Sequence, residues 1–205
     1  MTIQIAIAFH SGYGHTAALA EAVRGGVVRE SGADAQLIDV TGMTDEHWAC
    51  LLRADAIIFG SPTYMGAVSG PFKSFMDQTS KIWIERGWSN KLAAGFTVSS
   101  SQAGDKFATL SQLMTLACQH GMIWVSLDQL PGNNSSQGTP NDLNRIGGSL
   151  GAMAQANADQ GGDIAPPGSD RETAARLGQR VAQLARVFKT ASDEKGSMFG
   201  PRAVV

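Results

Sequence analysis

Apolar positions along the chain switch repeatedly between continuous runs and helical spacing. "IQIAIAF" (3–9) is a strand-like run, and "TAALAEAVRGGVVRES" (16–31) spaces its apolar residues as one helix face, with Gly32 as a stop. "AQLIDV" (35–40) predicts a second strand. "TDEHWACLLRA" (44–54) predicts a helix capped by Thr44, with acidic residues in its first turn. "AIIFGS" (56–61) is apolar enough for a strand covered on both faces; the loop "PTYMGAVSG" then leads to the helix "PFKSFMDQTS" (71–80), with Pro71 in its first turn. After an excursion, "IWIERGWSN" (82–90), come the strand "LAAGFTVSS" (92–100), the helix "KFATLSQLMTLACQHG" (106–121) and the strand "MIWVSL" (122–127).

From Asp128 to Gly168 the composition shifts to Gly, Asn, Ser, Gln and Pro, too long for an ordinary connection and therefore a functional or partly disordered loop. "SDRETAARLGQRVAQLARVFKT" (169–190) is the last predicted helix, with Ser169 and Glu172 in capping-box spacing. The expected organisation is one α/β domain over 1–190, a doubly wound five-stranded parallel sheet with helices on both faces, and a flexible tail over 191–205. In such sheets ligands sit beyond the carboxyl ends of the strands, which singles out the loops 10–16, 61–70 and 99–105.

Bulk composition narrows the function classes. The 205 residues carry 16 basic and 18 acidic side chains, net −2, with no Lys/Arg cluster, which argues against a nucleic-acid partner. No apolar run has the roughly 20 residues that span a bilayer, and no leader pattern is visible, so a cytoplasmic protein without a membrane partner is expected. Cys50 and Cys118 lie far apart without metal-ligand spacing and are expected as buried free thiols.

The first loop, "SGYGHT" (11–16), sits between a strand and a helix, where unpaired N–H groups and the helix dipole hold anions. It contains no lysine, so it is not a Walker A loop. Gly12-Tyr13-Gly14-His15-Thr16-Ala17 formally fits a dinucleotide fingerprint, and Asp39 ends the second strand where a ribose-binding acid would stand. The hydroxyls of Ser11 and Thr16 instead suit a terminal phosphate monoester, and the polar loops after the third and fourth strands suit two further walls around a flat ligand.

"SGYGHT", "FGSPTYMGAVSGPFKSFMDQT", "SSS" before Gly104 and "ACQHGM", in that order, resemble the WrbA-type NAD(P)H:quinone oxidoreductases, a flavodoxin-like family. The resemblance implies a flavodoxin-like fold, FMN as cofactor, NADPH or NADH as co-substrate, a quinone as acceptor and a dimer or tetramer. It assigns the phosphate to Ser11, Gly12, Tyr13, Gly14, His15 and Thr16, with Tyr13 also at a nicotinamide-associated position. Pro62, Thr63, Tyr64 and Met65 match the segment along the isoalloxazine; the family commonly has Arg-Phe where Tyr64 and Met65 stand. Ser99, Ser100, Ser101, Gln102, Ala103 and Gly104 match the flavin-edge loop, with fewer glycines than the family has. His120 matches a histidine near the flavin, a candidate for stabilising a quinol oxyanion, and Trp83 matches a tryptophan over the substrate side.

Each assignment has a plainer alternative. His120 ends a helix before a glycine, as a C-cap residue does. Trp83 suits a hydrophobic anchor, Tyr64 a loop closure, and Ser11 and Thr16 helix caps. Trp48 and Trp124 read as core, and His10 and His47 receive no role. Arg145, in "NRIGGSLGAM" (144–153), is either a contact for a nucleotide phosphate or a solvated loop arginine. No nucleophile–base motif is present, as expected where a cofactor carries the chemistry. Competing functions are an FMN reductase, a flavodoxin-type electron carrier and a nucleotide-binding regulator; the weak net charge gives little electrostatic steering for a carrier.

Overall fold

The first strand sorts its side chains by size. In the computed structural model, which describes residues 2–195, β1 (Ile3–Phe9) sends Ile3, Ile5, Ile7 and Phe9 to one face of the sheet and Ala6 and Ala8 to the other. On the isoleucine face pack α1 (His15–Val27) and α6 (Gly168–Lys195), through Leu19, Val23, Leu177 and Val181. The small alanines leave room opposite for large side chains. Phe59, Phe72, Phe75 and Trp88 fill it, with Leu51 of α2 (Asp45–Arg53) and Leu113 of α5 (Lys106–Gln119). Each such fully buried side chain contributes roughly 1.5–3 kcal/mol of transfer free energy.

The remaining strands are β2 (Ala33–Asp39), β3 (Ala56–Tyr64), β4 (Ala67–Val68), β5 (Leu92–Ser99), β6 (Ile123–Trp124) and β7 (Ala152–Gln155). The order is β2-β1-β3-β5-β6, parallel throughout, with β4 antiparallel on β3 and β7 parallel on β5. Order reverses between β1 and β3, and the crevice above that point is where such sheets bind ligands.

The structure redraws several expected elements. The fifth strand is split: Ile123 and Trp124 pair with Leu92 and Ala93, the chain leaves the sheet, and Ala152–Gln155 pairs with Phe96–Ser99. Asp128, at φ 54, turns the chain outward in the interval. The 128–168 segment therefore carries part of the sheet. The expected loop after residue 61 is a hairpin: β3 continues to Tyr64, and Met65 (φ 49) and Gly66 (φ 77) form a tight turn into β4. The excursion at 82–90 begins with a short helix, α4 (Ser80–Ile84), after α3 (Gly70–Gln78).

Helix ends are mixed. Thr44 caps α2, with a reciprocal contact from His47, and Pro71 sits in the first turn of α3 as expected. Ser169 and Glu172 form no capping box, since Ser169 donates to the Pro140 carbonyl and Glu172 pairs with Arg29. Helix α6 runs on to Lys195, so residues 191–195 are helical rather than tail; the rest of the expected flexible tail, 196–205, lies outside the described residues. Cys50 is half-buried and Cys118 exposed, not two buried thiols; both are free. Trp48 stacks on Phe75 with ring centroids 5.5 Å apart. Among the described residues no helix is long and apolar enough to cross a membrane.

Candidate functional site

Strand β1 ends beside the switch point, and the chain enters α1 through Gly14, whose left-handed backbone (φ 86) favours glycine. Ser11 Oγ accepts from the Ala17 amide at 3.1 Å, and Ala18 N–H donates to the Gly14 carbonyl. The amides of Tyr13, Gly14, His15 and Thr16 make no hydrogen bond among the described residues. Four free N–H groups at the positive end of a 13-residue helix form a seat for an anion. Ser11 serves as a helix cap, and its hydroxyl retains a proton to donate.

Next to this seat lies a cavity of about 410 Å³. Tyr13 and His15 line it from the first loop, Thr63 and Tyr64 from β3, and Val98, Ser99 and Ser100 from the end of β5. Its far wall, Ala156 and Ala158, follows β7. Thr63 is fixed in position, its Oγ1 lying 2.8 Å from both Thr97 Oγ1 and Thr109 Oγ1. Tyr64 and Tyr13 meet edge to face with centroids 6.1 Å apart. Burial and then the neighbouring Tyr13 hydroxyl raise the Tyr64 pKa, against a hydrogen bond from the Gly12 backbone, so Tyr64 is a neutral phenol at ordinary pH. A Cβ on Gly12 would stand 2.4 Å from the Tyr64 hydroxyl.

The segment after β7 also covers the anion seat. His15 Nε2 lies 2.6 Å from the Gln160 carbonyl oxygen, which requires the Nε2–H tautomer. Gly162 packs on Gly14, so that a Cβ on Gly162 would fall 2.6 Å from the Gly14 oxygen. Arg171 fastens the segment by donating to the carbonyls of Gly162 and Pro166 at 2.7 Å each.

The structure thus gathers most of the sequence candidates around one crevice and leaves others elsewhere. Pro62 is buried beneath it, Met65 stands fully exposed on the hairpin tip, and Gln102 and Ala103 are exposed on the third loop. Trp83 is on α4, 43% exposed, and does not line the cavity. His120 is placed in the core rather than the crevice. It is the C-cap residue of α5, 3% exposed, with its ring 4.5 Å from that of Trp88. Thr79 Oγ1 donates to the Met76 carbonyl, so His120 Nε2–H must donate to Thr79 Oγ1, at 2.8 Å. Its Nδ1 has no partner among the described residues, and burial lowers its pKa to about 4. With its N–H committed and its ring neutral, His120 is not available to a substrate oxyanion. Arg145 is not a solvated loop residue either: it grips Asp170 through two hydrogen bonds of 2.8 Å, with side-chain exposures of 9% and 1%.

Sequence reasoning missed Lys106, Gln155, Gln160 and Arg171. Lys106 is wholly buried under the third loop, its pKa brought down to about 8 by burial, partly offset by Asp170 and deepened by Arg145. One signal was present: a lysine in the first turn of a helix opposes the dipole and needs another reason to be there. Gln155 and Gln160 lie in the segment whose pairing only the fold reveals, and Arg171, in the first turn of α6, is found only through its contacts with that segment.

A family model described as NADPH-dependent FMN reductase matches residues 7–137. The chain belongs to that family. It is 40% identical over 181 residues to a Pseudomonas aeruginosa protein named Flavodoxin FldP, covering 87% of this chain and 94% of that one. It is 32% identical over 199 residues to a Gluconacetobacter diazotrophicus protein named NAD(P)H dehydrogenase (quinone), covering 89% and 96%. A solved structure described as the flavodoxin, WrbA-like protein from Agrobacterium tumefaciens matches at a TM-score of 0.71 and 39% identity, covering 91% of this chain and 99% of that one. The fold is flavodoxin-like, and the family is one of flavin-dependent oxidoreductases.

The residues present fit a flavin mononucleotide. The anion seat suits its phosphate, with no cation needed in the loop. The adjoining cavity, walled by Tyr64, Thr63, Ser99 and Ser100, suits a flat ring system with polar edges.

Proposed function

We propose that this chain is an FMN-dependent NAD(P)H:quinone oxidoreductase. The observation that carries the reading is the continuity of the free-amide helix terminus with an aromatic-sided cavity at the β1/β3 switch point. FMN, when bound, supplies two-electron transfer from NAD(P)H to a quinone in two half-reactions. The amides of Tyr13 to Thr16, with the Ser11 hydroxyl, bind the phosphate end. Tyr64 and Thr63 orient the ring, and residues 99–104 meet its polar edge. Tyr13, 77% exposed, flanks the mouth and can pack on a nicotinamide or quinone ring. His120 and Trp83 have no part in this proposal.

A flavodoxin-type electron carrier is the second reading, favoured by the Pseudomonas relative's name. The net charge of −2 offers a carrier little steering toward a basic partner. One experiment separates the readings. The purified protein is loaded with FMN, and its visible spectrum is followed under nitrogen as NADPH, then NADH, is added, with benzoquinone and then free FMN supplied as acceptor. Bleaching by either nucleotide and recovery with benzoquinone supports the proposal. Recovery with free FMN alone marks an FMN reductase. Absence of bleaching marks a carrier, and a protein that binds no FMN contradicts all three.

A further inference from the structure

The third loop is held from beneath by side chains that point its backbone outward. Lys106 is 0% exposed, and its Nζ donates to the carbonyls of Ser101 at 2.7 Å and Gln102 at 2.9 Å. Gln155 Nε2 donates to the Ser100 carbonyl at 2.9 Å, and Ser99 Oγ to the Ser101 carbonyl at 3.0 Å. Three consecutive carbonyls, of Ser100, Ser101 and Gln102, therefore face donors of the protein. In a trans peptide the N–H of the next residue points opposite to the carbonyl. The amides of Gln102 and Ala103 consequently turn away from Lys106 and that of Ser101 away from Gln155, and none of them makes a hydrogen bond among the described residues. The loop starts at Ser99 and Ser100, which line the cavity.

The charges behind the loop do not cancel. The groups that act electrostatically on Lys106 are Asp170 and Arg145, and Asp170 is already engaged by Arg145 and by the Gln155 amide. Two cations against one carboxylate leave a surplus positive charge behind a row of outward amides. Successive N–H groups of this kind favour anions, and a cation with limited access to water adds to their field.

We propose that Lys106 is a positioning residue of the flavin site: it locks the Ser101 and Gln102 carbonyls inward, so that the amides of Gln102 and Ala103, with its own charge behind them, favour the negative charge a bound flavin carries after taking two electrons. The inference rests on the proposed function, since it presupposes FMN in the cavity. It makes Lys106 a determinant of redox potential more than of binding to the oxidised form.

The test compares wild type with Lys106→Met and Lys106→Gln. FMN affinity is measured by fluorescence quenching, and the two-electron midpoint potential by equilibration with reference dyes. Lys106→Met is expected to bind oxidised FMN within about threefold of wild type and reduced FMN about tenfold more weakly, equivalent to a midpoint about 30 mV more negative. Lys106→Gln keeps donors for the two carbonyls without the charge. It is expected to shift the potential the same way by a smaller amount, and it decides the matter if the methionine variant fails to fold. Equal weakening of both redox forms, or no change in potential, overturns the inference. A wild-type protein that binds no FMN overturns the functional proposal instead, so the two failures are distinguishable.

Discussion

Arg145 and Asp170 form a two-pronged ion pair inside the protein, each prong 2.8 Å long, joining the 128–168 segment to the first turns of α6. Removing one partner of such a pair strands the other charge in a poorly solvated place. Asp170→Asn is expected to destabilise the protein by about 3–5 kcal/mol. Thermal unfolding should register this as a fall of roughly 10 °C at this chain length. Arg145→Ala should likewise lower the melting temperature, while changing the Michaelis constants for NADPH and NADH by the same factor. A selective effect on NADPH would show that the arginine reaches a nucleotide phosphate after all.

His120 gives the fold an acid limit. The unfolded chain takes up a proton on this ring near 6.5, whereas the buried ring holds out until about 4. Between those values the unfolded state binds more protons, so stability falls as pH drops through the window, by about 3 kcal/mol in all, and levels off below it. Urea denaturation at pH 7 and pH 5 should differ by about 2 kcal/mol from this residue. His120→Gln should flatten that slope, and a slope unchanged in the variant would assign the acid sensitivity to other groups.

Gly12 and Tyr64 depend on each other. A methyl group at residue 12 meets the Tyr64 hydroxyl at 2.4 Å but the ring carbon Cζ only at 3.4 Å. Tyr64 is partly exposed and can swing aside, so Gly12→Ala should cost stability less than about 1 kcal/mol. It should nevertheless weaken FMN binding about tenfold, or about 1.4 kcal/mol, by moving a cavity wall. Adding Tyr64→Phe removes the clashing oxygen and should restore most of the affinity in a titration of the double variant.

Gly162 faces a less forgiving neighbour, since its added Cβ would strike the Gly14 backbone oxygen at 2.6 Å. Gly162→Ala should lift the 156–165 segment from the anion seat and break the His15–Gln160 contact. Dissociation of FMN, measured by stopped-flow fluorescence, should accelerate about tenfold, and riboflavin, which lacks the phosphate, should be affected less. Equal acceleration for both ligands would place the damage at the ring rather than at the phosphate.

Much of this architecture was legible because its signals are local. The apolar run "IQIAIAF", the Thr44 cap and the glycine-bearing turn at Gly14 each act within a few residues of where they are written. The hairpin at Met65 and Gly66 was hidden because Met65 adopts a left-handed conformation that its side chain does not advertise. Strand β7 was hidden because four residues in a polar stretch carry almost no periodic signal; it is a strand because Phe96–Ser99 offers a free edge. His120 was misplaced for a related reason. A histidine before a glycine looks the same in sequence whether its ring turns to a ligand or to Thr79 and Trp88.

The sequence by itself determined the layered α/β plan, the three loops at one edge of the sheet and the glycine-bearing entry to the first helix, because periodicity, capping and helix termini are short-range properties of the chain. Only the tertiary structure decided that residues 152–155 complete the sheet, that Gln160 and Gly162 cover the start of α1, that Arg145 is spent on Asp170 and that Lys106 stands behind the third loop. Those partners lie up to 145 residues apart, as His15 and Gln160 do. Their meeting is set by which surfaces the core brings together, and it is the partner met there, rather than residue type alone, that gives each of them its role.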